Sequence, residues 1–190
     1  MTGSAQSFSR QSSSFLVLMI GKTHFRSSFR VLIYCNRTVR IYDASTGTAS
    51  GEAWSTGQTG YIRAIAISPD NKILAAGSDD SSIILYNMDT RSVINQPMRG
   101  HNGVSASSAL STTYSCPPQV IRSLAFSKDG QLLASGSEDT TVRIWNVRTG
   151  KKFCDPLYGH TYYVSSVRFS PDMKQIITGR SISFKKGTEN

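Results

Sequence analysis

The sequence predicts an all-β fold that is built from repeated groups of short antiparallel strands. One pattern occurs twice, at 64–91 and at 123–150, and part of it recurs near the end of the chain. Within each copy, short runs rich in β-branched and aromatic residues alternate with turn residues, and no ten-residue stretch keeps helical spacing. Each copy therefore describes a small sheet that must stack on its neighbours to bury its apolar faces.

The underlying repeat is 43 residues long. Gln58 and His101 occupy the same place in consecutive units and lie 43 residues apart. Asp80 and Asp139 lie 59 residues apart, because the later unit carries 16 extra residues at about 103–118. This Ser-rich segment ends in two prolines and has the composition of a surface loop. Four short strands in about 43 residues are typical of one propeller blade, so we expect a partial, open β-propeller of about three four-stranded antiparallel blades.

Each unit is predicted to begin with an inner strand that ends at a turn containing Asp. A second strand follows, then a tight turn that leads into a third strand, and a looser fourth strand precedes the next unit. The predicted strands are 62–68, 121–127 and 164–170 for the first; 72–77, 131–136 and 175–179 for the second; 39–43, 83–87 and 142–146 for the third; and about 93–98 and 152–157 for the fourth.

The repeat divides the chain into three parts. Residues 1–35 match the pattern poorly and are basic and Ser-rich, and residues 180–190 are predicted to form an unstructured tail. The blades occupy 36–179 as a partial unit at 36–57, complete units at 58–100 and 101–159, the latter with the loop-like insertion at 103–118, and a second partial unit at 160–179.

The charge of the chain is concentrated at its two ends. Formal net charge is +9, of which residues 1–37 and 179–190 hold +7 and residues 38–178 only +2. A nucleic-acid-binding platform would carry its basic residues on the folded body. We therefore expect no nucleic acid among the partners of this chain.

The cysteines and the apolar runs argue against a metal-binding, a disulfide-bonded and a membrane-spanning protein. Cys35, Cys116 and Cys154 are far apart and form no Cys-x-x-Cys pair, so we expect no metal, no other cofactor and no disulfide framework. The longest apolar run, 15–20, is too short to span a bilayer and could be a buried strand. No targeting signal is visible. We therefore expect an intracellular, cytoplasmic protein without membrane attachment.

Several recurring motifs resemble those of the WD-repeat family of β-transducin-like propellers. They are the Gly-His pairs at 100–101 and 159–160, the turn at 137–139, and the strand Thr-Val-Arg-Ile-Trp at 141–145. The near-uniform sequence of the repeats is most similar to that of the repeat arrays in fungal WD-repeat and NACHT-linked proteins. The resemblance implies a propeller that usually has seven blades, which at this period requires roughly 300 residues. The chain is therefore expected to be a fragment.

The resemblance also assigns a role to four residues of the third unit. In WD repeats the turn Asp, the His, a strand Ser and the Trp form a structural relay, and these are Asp139, His101, Ser135 and Trp145. The same residue types could suggest a Ser-His-Asp hydrolase. Ser135, however, lies inside a predicted strand, whereas a nucleophile needs an exposed turn. The resemblance therefore favours a structural role, and we expect no enzyme.

The other units keep the relay only in part. The fourth has His160 and Thr178, with Ile182 in the place of the Asp. The second keeps Asp80 but has Gln58, Ala76 and Tyr86 at the other three places, so its network is expected to be largely absent.

A candidate partner surface lies at the starts of the inner strands, where the family docks peptides. Arg63 and Arg122 begin these strands, and Tyr61, Tyr162 and Tyr163 lie beside them. The alternative is an ordinary solvated edge. Aromatic and arginine side chains are enriched in protein interfaces.

The function predicted on this basis is a non-catalytic scaffold that binds other proteins. One alternative is a truncated or mis-spliced gene product without independent function, since the 16 extra residues correspond to about 48 nucleotides, the size of a small intron. A weaker alternative is the hydrolase. An open stack of blades leaves sheet faces uncovered, so missing blades or self-association are expected.

Overall fold

The computed structural model of the chain describes residues 7–8, 15–19, 29–34, 37–43, 46–49, 51–101 and 119–180. Every helix or strand assigned in these residues is a β-strand. All strand pairings are antiparallel and connect neighbours in the sequence. The predicted all-β class is confirmed.

The strands form four sheets, which we number as blades 1 to 4 in chain order. Blade 1 contains β1 (Ser7–Phe8), β2 (Phe15–Met19), β3 (Phe29–Tyr34), β4 (Thr38–Asp43) and β5 (Trp54–Ser55). Blade 2 contains β6 (Ile62–Ile67), β7 (Ile73–Ser78), β8 (Ser82–Asn87) and β9 (Met98–Arg99). Blade 3 contains β10 (Ile121–Phe126), β11 (Leu132–Ser137) and β12 (Val142–Asn146). Blade 4 contains β13 (Ser166–Phe169) and β14 (Ile176–Gly179).

Blade 1 takes three strands from the segment that the sequence analysis left outside the blades. Strands β1, β2 and β3 all lie within residues 1–35, and β3 pairs with β4 from Phe29 opposite Asp43 to Tyr34 opposite Thr38. The runs at 15–19 and 29–34 are rich in aliphatic and aromatic residues, which favour strands. They lack the Gly-His and turn markers of the repeat, so the repeat pattern could not find them.

The fourth strand of blade 3 is reduced to two isolated bridges. Val142 pairs with Leu157 and Trp145 with Lys152, and between them the Phe153 N–H donates to the Ile144 carbonyl at 2.9 Å. This agrees with the looser fourth strand that the sequence predicts there. The insertion at 103–118 and the tail from residue 181 onward lie outside the described residues.

The blades stack face to face, and the core lies between them. Strand β6 lies beside β10 and β10 lies beside β13, so the first strands of successive blades are neighbours. One apolar cluster joins blades 1 and 2, a second joins blades 2 and 3, and a third joins blades 3 and 4. The described strands therefore form an open stack of three blades and the first two strands of a fourth, and the predicted partial propeller is confirmed.

Two glycines allow this close stacking. A Cβ atom on Gly77 would lie 2.5 Å from Ile121 Cγ2, and one on Gly136 would lie 2.8 Å from Val164 Cγ1. Both glycines sit in the second strand of a blade, where the first strand of the next blade passes over them. Gly179 holds the same place in blade 4, and no atom of the described residues comes within 4 Å of a Cβ there.

We predict that Gly136→Ala destabilises the protein while Gly179→Ala does not. The added methyl at 136 meets a side chain and also the carbonyl oxygen of Val164 at 3.0 Å, so the blades have to move apart. Overpacking of this kind costs about 1–3 kcal/mol. Denaturant unfolding of the two variants measures the difference, and equal effects would show that the glycine at 136 is not required for stacking.

Candidate functional site

The most complete polar network connects four side chains of blade 3. His101 precedes the blade, Ser135 lies in β11, Trp145 lies in β12, and Asp139 lies in the turn that joins these strands. His101 Nδ1 is 2.8 Å from Asp139 Oδ2, and His101 Nε2 is 2.7 Å from Ser135 Oγ. Trp145 Nε1 donates to Ser135 Oγ at 2.8 Å. The structure thus brings together all four residues of the relay.

The direction of the hydrogen bonds follows from the carboxylate. An ionised Asp139 only accepts, so His101 Nδ1 carries the proton and donates it. Nε2 is then an acceptor, and the Ser135 hydroxyl donates to it while receiving the Trp145 N–H. These bonds give each polar side chain of the relay a partner, which removes the cost of burying them.

Burial separates this network from a catalytic triad. Ser135 is 0% exposed and His101 is 1% exposed. A substrate carbonyl has to approach the serine oxygen at bonding distance, and the core of the blade encloses that oxygen. The Ser135 hydroxyl is thus enclosed within the blade, where its partners are His101 and Trp145.

The environment shifts the pKa values of the buried pair. Burial lowers the pKa of His101, and the bond to Asp139 opposes this shift only in part. For Asp139, burial disfavours the charge, but hydrogen bonds from His101 and Thr141 outweigh it and hold the pKa below its usual 3.8. Thr141 contributes through both its N–H, at 3.0 Å, and its hydroxyl, at 2.7 Å. The pair is therefore neutral imidazole and carboxylate near neutral pH.

Blade 2 contains a polar network of different composition, where the sequence analysis expected little. Gln58 Nε2 donates to the carbonyl oxygens of Ala76 at 3.2 Å and Ser82 at 3.1 Å. The Tyr86 hydroxyl donates to the carbonyl oxygen of Thr56. A long amide can reach backbone acceptors that a shorter residue cannot, so Gln58 bonds directly to the two strands of the blade. The four-residue relay itself is absent here, and bonds from Gln58 and Tyr86 to main-chain carbonyls stand in its place.

Asp80 anchors the turn of this second network. Its carboxylate accepts the N–H of Thr59 at 3.0 Å, the Thr59 hydroxyl at 2.8 Å and the N–H of Ser82 at 2.9 Å. Partial burial opposes the charge, but these bonds outweigh it and lower the pKa of Asp80 from 3.8 to about 2. The sequence analysis did not identify Thr59, which directly follows Gln58.

In blade 4 the structure describes only one bond of the relay. His160 Nε2 lies 2.7 Å from Thr178 Oγ1, and the pair is half-buried. Ile182, which stands in the place of the Asp, lies outside the described residues.

A second candidate site is the edge where the inner strands begin, which we call the rim. Arg63 Nη2 is 3.2 Å from Asp79 Oδ2, and its guanidinium carbon is 5.5 Å from the centre of the Tyr61 ring. The ring is 51% exposed, so it is held in place without being covered.

The rim of blade 3 repeats this arrangement. Arg122 forms an ion pair with Glu138, in which its Nε donates at 2.8 Å. The guanidinium carbon of Arg122 is 5.7 Å from the Tyr163 ring centre, which links blade 3 to blade 4. Tyr162 and Tyr163 are themselves 4.7 Å apart. All five residues that the sequence proposed for the partner surface therefore take part in arginine–tyrosine or tyrosine–tyrosine contacts along the rim.

Sequence reasoning missed the acidic partners of the rim arginines and a third arginine. Asp79 and Glu138 each follow their arginine by 16 residues, a repeated spacing that could have revealed them. Arg180 lies 5.8 Å from the ring centre of Tyr162.

Neither a metal centre nor a membrane helix is found in the described part of the chain. No group of three His, Cys, Asp or Glu residues there could hold a metal ion. Within the same residues, no helix is long and apolar enough to cross a membrane.

Stacked antiparallel blades, two of which have a turn Asp that bonds to a Gly-His or Gly-Gln segment, define a repeat protein of the propeller class. A family model described as WD domain, G-beta repeat matches residues 52–87, 94–146 and 151–184. These matches cover more than half of the chain, and the chain belongs to the WD-repeat family.

Curated relatives share this repeat. Apoptotic protease-activating factor 1 of Rattus norvegicus is 30% identical over 149 residues, which is 74% of this chain and 10% of the relative. Nuclear distribution protein nudF 2 of Aspergillus clavatus is 32% identical over 111 residues, 58% of this chain and 22% of the relative. Target of rapamycin complex subunit LST8 of Mus musculus is 25% identical over 144 residues, 76% of this chain and 39% of the relative. The chain thus spans well under half the length of these proteins.

We predict that His101→Ala and Asp139→Ala each lower the free energy of unfolding by about 1–3 kcal/mol, because each leaves buried polar groups without a partner. His101→Gln should cost less, since Gln58 shows that an amide can bond to the blade from this position. Denaturant unfolding measures all three. Unchanged stability in both alanine variants would contradict the structural role.

We predict that the stability of the protein decreases as the pH falls below the ordinary His pKa of 6.5. The pKa of His101 is lowered in the folded state, so the unfolded chain takes up the proton first. The stabilising contribution is complete above 6.5 and is lost as the pH falls through the folded pKa. Unfolding of His101→Gln across the same pH range should show a shallower decrease. Parallel curves for the two proteins would refute this assignment.

Proposed function

We propose that this chain is a non-catalytic protein-binding scaffold and that the rim is its docking surface. WD-repeat proteins generally bind other proteins through stacked blades. The observation that carries the proposal is the repetition of one arrangement on two successive blades: an inner-strand arginine is paired with a carboxylate and lies beside a tyrosine ring.

The ion pairs make the rim a fixed surface. Asp79 and Glu138 orient the guanidinium groups of Arg63 and Arg122, so less side-chain entropy is lost when a partner binds. The tyrosine rings provide apolar area together with a hydroxyl that can bond to a partner. Such residues commonly dominate the binding energy of protein interfaces.

The charge of the rim indicates what kind of partner fits. Each of the two paired arginines is balanced by its own carboxylate, so the surface is close to neutral at these positions. A polyanion such as nucleic acid gains little from it. A folded protein or a peptide that offers both apolar and polar groups is the better match.

The proposal also places the chain inside the cell and without enzymatic activity. Buried Ser135 and His101 support the second point, because neither can reach a substrate. The widely spaced cysteines, of which Cys154 is free and exposed, suit a reducing compartment.

We predict that Tyr61→Ala and Arg122→Ala reduce capture of partner proteins by the tagged chain. Both changes remove contact area from the rim, and both residues are exposed enough for the fold to tolerate the loss. Affinity purification with quantitative mass spectrometry compares these variants with the wild-type protein. Tyr158→Ala is the matched control, because Tyr158 is 77% exposed and lies on the outer segment of blade 3. Proteins retained by the rim variants but lost from the control would place the docking surface elsewhere.

A further inference from the structure

Two positively charged side chains of blade 3 converge on Gly100, in the segment that leads from blade 2 into blade 3. A Cβ atom on Gly100 would lie 2.9 Å from Lys152 Cε and 3.4 Å from Arg143 Nη1. Arg143 belongs to β12, and Lys152 forms the isolated bridge with Trp145. The two cations therefore lie beside the same glycine, although they come from different segments of the blade.

Arg143 is buried without a partner for its charge. The residue is 8% exposed, and its Nε is enclosed without a hydrogen-bond acceptor. In the described part of the chain, no carboxylate forms an ion pair with Arg143 or with the exposed Lys152. Burying an unpaired charge is costly, so buried arginines are normally paired with an anion. This pair of cations lacks such an anion.

The segments outside the described residues offer almost no carboxylate that could fill this role. Residues 102–118, which directly follow His101, contain no Asp or Glu. Glu189 is the only acidic residue of the chain that lies outside the described part. The missing negative charge is therefore best sought in a ligand.

The nearest carboxylate of the relay is already engaged. Asp139 accepts from His101 at 2.8 Å and from the Thr141 hydroxyl at 2.7 Å. Burial is the main cause of the lowered pKa of His101, and the positive charges of Arg143 and Lys152 lower it further. Both cations thus lie close enough to His101 to disfavour its protonated form.

The other blades show that the stack does not require two cations at this place. The equivalent residues are Ile84 and Val93 in blade 2, and Arg40 and Ala49 in blade 1. Ile84 is 5% exposed and belongs to the apolar cluster between blades 1 and 2. Because an apolar pair fits the same place, stacking alone does not account for the arginine and lysine of blade 3.

The charge and geometry of the pair indicate which anion fits. A guanidinium offers a planar set of N–H donors and an ammonium a compact charge, and phosphate oxygens can accept from both at once. A phosphate dianion also balances both positive charges, whereas a carboxylate leaves one of them unbalanced. We propose that Arg143 and Lys152, beside Gly100, form a binding site for a phosphate dianion, either as inorganic phosphate or as the phosphate group of a monoester.

Isothermal titration calorimetry of the full chain tests the site with inorganic phosphate at about pH 8, where phosphate is a dianion. Acetate at the same ionic strength is the monoanionic comparison, and we expect it to bind about tenfold more weakly. Arg143→Ile, which copies blade 2, should abolish phosphate binding, and Lys152→Val should weaken it about tenfold. A parallel titration with O-phosphoserine distinguishes the two sources, because the tighter ligand identifies the form that the site prefers.

Controls separate this site from a general effect of positive charge. Lys174→Val removes a cation from an exposed turn of blade 4 and should leave phosphate binding unchanged. Circular dichroism checks that each variant is folded, and Lys152→Val changes only an exposed side chain. No binding of phosphate or O-phosphoserine to the wild-type chain overturns the proposal. Acetate binding as tight as phosphate binding, or wild-type phosphate affinity in folded Arg143→Ile or Lys152→Val, overturns it as well.

Discussion

Each blade of this protein depends on the face of its neighbour. The apolar clusters lie between sheets, so one blade alone would expose the side chains that form the core. Neighbouring blades can approach closely because Gly77 and Gly136 have no side chain at the places where Ile121 and Val164 pack against them. Local strand propensity forms the individual sheets, but it is this contact that makes a stable stack of them.

The polar networks serve the same architecture from within the blade. Each fixes the segment that enters a blade to the turn between its second and third strands. Blade 3 does this with His101 and Asp139, whereas blade 2 uses Gln58 and Asp80 with different bonds. A turn held in this way positions the residues beside it, and the rim carboxylates Asp79 and Glu138 each directly precede or lie within that turn. The polar networks inside the blades therefore also help to position the carboxylates of the rim, which is the surface that we propose for binding.

Periodicity predicted most of the fold because the repeat itself encodes where strands and turns occur. It located the strands of blades 2 to 4 and the relay of blade 3. It could not find β2 and β3, whose residues favour strands but lack the markers of the repeat. The Gln58 network was also missed, since a side-chain amide bonded to main-chain carbonyls leaves no pattern of residue types. The partners of Arg63 and Arg122 required knowledge of which turn lies beside which strand.

Hydrogen–deuterium exchange with mass spectrometry tests most directly whether stacking stabilises the blades. Strands β7 and β11 lie in blades that have a neighbour on both sides, whereas β14 has a described neighbour on one side only. The account predicts that amides of β7 and β11 exchange more slowly than those of β14 under native conditions. Uniform protection across the three strands, or faster exchange in β7 and β11, would contradict it.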